Sequence, residues 1–161
     1  MTLNHASDLG GCYDPVVMQS RAHNVLDAAY DAGVRYIDVA RSYGGAEEFF
    51  ASWLASRGVR ADEIRIASKW GYVHVGHWAA DSPVHEVKDH SIVTFQRQLA
   101  ETLDRLGLHV SVYQVHSVTA ESDAGDDKVI DACARLRERG IIPGLTVGGP
   151  QQATVTAMRS S

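Results

Sequence analysis

The chain has 161 residues, 45% of them hydrophobic and 22% charged, with a formal net charge of −5. That is enough for one well-buried domain, and with no basic stripe it argues against nucleic acid as a partner. No apolar run approaches the roughly 20 residues of a membrane span, and the opening MTLNHASDLGG lacks the basic and apolar regions of a signal peptide. The expectation is one cytoplasmic domain over residues 1–161, with no membrane partner. Cys12 and Cys133 stand far apart in no metal spacing, which suggests reduced, buried thiols rather than a disulfide framework.

In chain order, MTLNHA reads as a ragged first strand and SDLGGCYDP as a loop. From Ser20 to Asp31 the positions Ala22, Val25, Leu26 and Ala29 share one helical face, and Gly33 is placed as the stop. A short apolar strand, Val34 to Ile37, ends on Asp38, and Tyr43 follows in a glycine loop. The next helix carries Glu47 and Glu48 in its first turn, where the helix dipole favours anions, and it presents Phe49, Phe50, Trp53 and Leu54. EIRIASK (63–69) is a strand ending on Lys69. Residues 70–89 read as one long aromatic and histidine-rich connection, a length uncommon unless the loop binds something.

A helix follows with Ile92, Phe95, Leu99, Leu103 and Leu106 at helical steps. VSVYQVH (110–116) is a strand ending on His116. In DDKVIDACARLRERG, a helix, Val129, Ile130, Cys133 and Leu136 are expected to face inward. IIPGLTVGG (141–149) is the last strand, and 150–161 opens another helix. This βαβα order, with glycine-stopped helices before strands, predicts an α/β fold with a parallel sheet, either a (β/α) barrel or a doubly wound sheet. No GxGxxG follows the first strand and no P-loop is present, which weakens the doubly wound alternative.

Asp38, Tyr43, Lys69 and His116 all fall at strand ends or just beyond, the side on which parallel barrels carry their chemistry. As a set they are chemically coherent. A phenol is a poor acid at neutral pH, a lysine ammonium beside it favours the phenolate, and an aspartate holds that lysine charged. A histidine nearby orients a carbonyl or assists proton transfer. Taken singly, each has an ordinary reading as a cap or a surface residue.

GVRYIDVARSYGGAEEFF, IASKWGY, LAETLDRLGLHVSVYQVHS and LRERGIIPGLTVGGP together resemble the aldo-keto reductases, and the resemblance runs over nearly the whole chain. SKWGY, VHEVKDHS and YQVHS look most like bacterial sugar-oxidising members of the aldose 1-dehydrogenase type. The resemblance implies a TIM-barrel-type (β/α) fold. It also implies a nicotinamide cofactor, NADP with NAD as the alternative, and a small carbonyl or sugar substrate. By the same resemblance Tyr43 is the general acid/base, Lys69 and Asp38 tune it, and His116 orients substrate. Asp38 and Thr146 fall at cofactor-binding positions. Departures from the family pattern are Val39, Ala51, Ser111 and Val147, the last standing where a side-chain amide is common.

A complete barrel of eight units needs about 250 residues. The expectation is therefore a partial barrel of about five βα units, truncated after the fifth strand, its activity weak or absent unless the chain self-associates through its open edges. The histidines at 74, 77, 85 and 90 lack a completing carboxylate or cysteine, so no metal site is expected. Trp70, Tyr72 and Trp78 either line a sugar pocket or cover the barrel mouth. The alternative to a reductase is a non-enzymatic binding or interaction module on the same scaffold.

Overall fold

The structure is a computed structural model, and it describes residues 14–75, 84, 86–119 and 122–147. The readings of 1–6 as a strand and of 150–161 as a helix lie outside those residues, as do Cys12, His77, Trp78 and His85. Among the described residues, four parallel strands form one sheet in the order β1-β2-β5-β6: Tyr36–Asp38, Arg65–Trp70, Val110–Val118 and Ile142–Val147. A separate antiparallel pair, β3 (Tyr72–His74) and β4 (Glu86–Lys88), lies within what the sequence read as plain connection. Three-residue strands leave no alternation long enough to read.

Helices α1 (Pro15–Asp31), α2 (Ala46–Arg57), α3 (Ile92–Leu106) and α4 (Asp127–Ala134) complete an α/β architecture of partial-barrel form. α1 begins five residues before the expected Ser20, because Asp14 caps it through the amides of Val16 and Val17 and Pro15 occupies its first turn. It docks on α2 through Asp27, which accepts from Trp53 Nε1 (2.8 Å) and from Arg57 Nε and NH2 (3.0 and 2.7 Å). The Arg57 donors first, then Trp53, hold the Asp27 carboxyl down at about 2. α3 is capped by Ser91, and Asp89 accepts from the Ser91 amide (3.0 Å) and the Thr94 hydroxyl (2.5 Å). No helix among the described residues is long and apolar enough to cross a membrane.

The core lies between the sheet and the helices, with Ile66, Trp70, Tyr113, Val115 and Val118 from the strands meeting Leu26, Trp53, Phe95, Leu106, Val129 and Leu136. Trp70 belongs to it: fully buried, it packs edge-on against Phe95 and His90, so it lines no sugar pocket. Val25 and Ile130, expected to face inward, are exposed, because each helix meets the sheet along a narrower stripe than a whole apolar face. Cys133 is half-buried. The other face of the sheet carries Tyr36, Asp38, Ala67, Lys69, Gln114, Gly144 and Thr146 by strand alternation. Lys69 pairs with Gln114, and Gln114 with Gly144, in one row across three strands.

Candidate active site

Parallel register puts the C-terminal ends of β1, β2 and β5 side by side, and the four strand-end residues meet there. Asp38 ends β1 and accepts from Lys69 Nζ of β2 in a direct ion pair. Of the two partners the lysine is the buried one. Lys69 is 6% exposed at its side chain and Asp38 is 45% exposed. The desolvation cost therefore falls on the ammonium, which also donates to the Val39 carbonyl (3.1 Å). Val39 contributes here through its backbone, so its apolar side chain sits in the core without loss.

Tyr43 lies in the turn between β1 and α2, with Lys69 Nζ 5.1 Å from its ring centroid. The His116 ring stands edge-on between Tyr43 (centroids 5.7 Å apart) and Tyr72 of β3 (5.0 Å). Tyr72 is therefore a wall of this site. His116 does not end its strand, because β5 continues to Val118. Its imidazole is held down at about 4, first by burial and then by the Lys69 ammonium, so it is neutral at neutral pH. Gln114, which sequence reasoning passed over, donates from Nε2 to Asp38 Oδ1 (3.2 Å), and the row partner Gly144 leaves room for its side chain.

Behind these residues lies a polar network that periodicity does not reveal. Glu47, 2% exposed, accepts from Ser68 Oγ (2.6 Å), Thr102 Oγ1 (2.8 Å) and Arg41 NH1 (2.8 Å). Arg41 also reaches Glu101 (2.5 Å), and its amide donates to the Lys69 carbonyl (3.0 Å). The turn bearing Tyr43 is thereby tied to β2 and α3.

Three side chains grip the backbone next to His116. His90 Nε2 donates to the His116 carbonyl (2.9 Å), the Ser117 amide donates to Thr146 Oγ1 (2.8 Å), and Lys88 Nζ donates to the Ser117 carbonyl (2.8 Å). Between them Ser117 is held at φ +54°, a left-handed conformation that costs an L-residue roughly 1–2 kcal/mol. His90 is buried over Gly71, whose φ is +108°. A Cβ on Gly71 would lie 2.3 Å from His90 Cδ2. Gly71→Ala is expected to destabilise the fold by about 2 kcal/mol or more, since it adds a methyl group to a packed site and strains the backbone. Urea unfolding measures this, and a midpoint equal to wild type would refute the contact.

Among the described residues no group of three or more His, Cys, Asp or Glu side chains gathers to hold a metal ion. The depressed His116 titration sets a pH signature. A histidine whose folded pKa lies near 4 rather than 6.5 binds fewer protons folded than unfolded, so stability is fully present above about 6.5 and is lost as pH falls toward 4. Burial displaces His90 in the same direction. Unfolding free energy measured from pH 7 to 4 is expected to fall, with a shallower slope in His116→Gln. Equal slopes would remove His116 from that account.

Comparison with known proteins adds a family match. The Aldo/keto reductase family matches residues 7–160. The Aldo-keto reductase str7 of Strobilurus tenacellus is 29% identical, over 92% of this chain and 40% of its own length. The uncharacterized oxidoreductase YqkF of Bacillus subtilis is 28% identical, over 84% of this chain and 42% of its own. The solved structure of PA4992 from Pseudomonas aeruginosa superposes with a TM-score of 0.64 at 29% identity, covering 80% of this chain and 49% of that one. The aldo-keto reductase AKR11C1 of Bacillus halodurans (TM-score 0.69, 23% identity, 88% and 46% covered) is similar in fold. The chain thus spans two fifths to one half of the length of these relatives.

Proposed function

The chain belongs to the aldo/keto reductase family, and from that premise we propose an oxidoreductase that moves hydride between a nicotinamide nucleotide and an aldehyde, ketone or sugar. One observation carries the reading: the Asp38–Lys69 ion pair stands beside the Tyr43 ring with the neutral His116 imidazole against it.

In reduction, the Tyr43 phenol gives its proton to the substrate oxygen, and the Lys69 ammonium stabilises the negative charge left on the phenol. Asp38 holds Lys69 in place through their ion pair. His116, neutral, donates one hydrogen bond to the carbonyl oxygen and fixes its angle. In oxidation the same groups act in reverse, with the phenolate taking the alcohol proton. The nicotinamide, when bound, supplies or accepts the hydride. The donor set fits its ring end. Thr146 Oγ1 has accepted the Ser117 amide, but its own proton reaches the Val115 carbonyl only at 3.5 Å and is free to turn to a carboxamide. Asp38 and Thr146 are the residues proposed to hold that ring end. The Val147 side chain packs on the core, so its lack of a polar group does not weaken this end. NADP is the proposed nucleotide, NAD the alternative, and a sugar of aldose type the finer substrate proposal.

The test is NADPH and NADH binding to the 161-residue chain, followed by fluorescence, with oligomeric state recorded in the same sample and aldehyde and sugar turnover assayed next. No binding by a folded chain would overturn the reading. An interaction module is the second reading, favoured by one observation. Among the described residues β1 and β6 each pair on one side only, and Tyr36 and Ile142 on the face away from the core are 54% and 62% exposed. It expects self-association that grows with concentration and no turnover.

A further inference from the structure

The His116 ring accepts and donates no hydrogen bond among the described residues, and its ring contacts are the edges of Tyr43 and Tyr72. What aims it must act through the backbone. Three consecutive main-chain groups beside it are each held by a side chain, two from β4 and its end and one from β6. The His116 carbonyl takes His90 Nε2–H, the Ser117 amide gives to Thr146 on β6, and the Ser117 carbonyl takes Lys88 on β4. The ring tautomer of His90 follows from its partner. A carbonyl only accepts, so Nε2 carries the proton and Nδ1, buried and without a partner, is the bare nitrogen. Gly71 lacks a side chain where the His90 ring passes, and Trp70 braces that ring from the other side (centroids 5.8 Å).

We infer that His90, Lys88 and Thr146 form a three-point clamp on the His116–Ser117 backbone, with His90 the positioning residue that aims the His116 imidazole. This rests on the reading of His116 as the group that orients substrate. It gives the β3–β4 hairpin a purpose, since the hairpin delivers Lys88 and, just beyond it, His90. It also gives a use to the left-handed Ser117, a conformation that persists only where its surroundings over-determine it.

The test reads the His116 ring without turnover. Its Cε1 proton is assigned by proton NMR through its loss in His116→Gln. In wild type the ring currents of Tyr43 and Tyr72 displace this signal, and it titrates near 4. The groups facing the ring are Lys69, Asp38, His90, Lys88, Tyr43 and Tyr72. In His90→Leu the signal is expected to move toward its free position and the midpoint to rise by about one unit or more toward the ordinary value of about 6.5. His90→Gln, whose amide replaces Nε2–H, is expected to restore both. Lys88→Met, on an exposed position, should move them the same way by less. Unchanged shift and midpoint in a folded His90→Leu would overturn the clamp. If His90→Leu does not fold, the ring-proton shift of Lys88→Met decides, because loss of that charge raises the midpoint whether or not the ring moves. A moved ring with unaltered turnover would keep the clamp and remove His116 from the mechanism, so the two failures are distinguishable.

Discussion

Tyr43→Phe is expected to lower kcat by about 10²–10⁴-fold, the range typical of a lost general acid, while the melting temperature stays at the wild-type value. The substitution deletes one oxygen and leaves a hydrogen that cannot be transferred. Everything else the structure assigns to Tyr43 belongs to the ring or the backbone: the edge contact with His116, the ring beside Lys69, and the turn bonds from the Tyr43 amide to Ala40 and from Ala46 to the Tyr43 carbonyl. A phenylalanine keeps all of these. Because the proton moves only as the reaction proceeds, kcat and kcat/KM should fall together with nucleotide affinity unchanged. The measurement is steady-state kinetics with an aldehyde and a sugar, paired with thermal unfolding of both chains. Turnover within tenfold of wild type would exclude Tyr43 as the proton donor.

Glu47→Ala is expected to cost about 3–5 kcal/mol of stability, the range for removing one partner of a buried ion pair. Glu47 is the hub of four elements. Its loss strands the fully buried hydroxyls of Ser68 and Thr102 and leaves Arg41 with Glu101, a half-exposed partner, alone. A domain of this size holds about 5–15 kcal/mol in all, so a third or more would go. Urea unfolding should show a midpoint lower by about 1 M or more at typical slopes. Glu47→Gln should fall between the two chains, since it still meets the hydroxyls but no longer neutralises Arg41. A Glu47→Ala midpoint equal to wild type would mean that water has entered and replaced the carboxylate.

Those two residues also mark what could and could not be read from sequence. The four main strands were legible because each is a short apolar run after a glycine stop, and their order alone argued for a parallel sheet. The residues at their ends could be named for the same reason, since strand termini are local features. Glu47 read only as an acidic residue in a first helical turn. Its partners lie 21 and 55 residues away, and no periodicity connects them. α3 misled in the same way. Thr94, Gln98 and Thr102 are buried on its inner face while Leu99 and Leu103 are half-exposed, because those polar side chains meet Asp89, the Gly71 amide and Glu47. His90 read only as one histidine of a long connection, since its carbonyl partner lies 26 residues on. The start of α1 was a different case. Asp14–Pro15 is a local cap signal, and it was masked by the surrounding glycines.

Asp38 and Lys69 ride on paired residues of the sheet and His116 on the strand beside them, whereas Tyr43 rides on a turn. Turns open at lower free energy than central strands. The proposed proton donor thus depends on the Arg41 and Glu47 tether to stay aligned with the frame of strands. For anyone grafting loops between relatives of this scaffold, the division is practical. Exchanging the segments after β2 or β5 reshapes what reaches the frame, while exchanging the seven residues after β1 replaces the proposed proton donor itself.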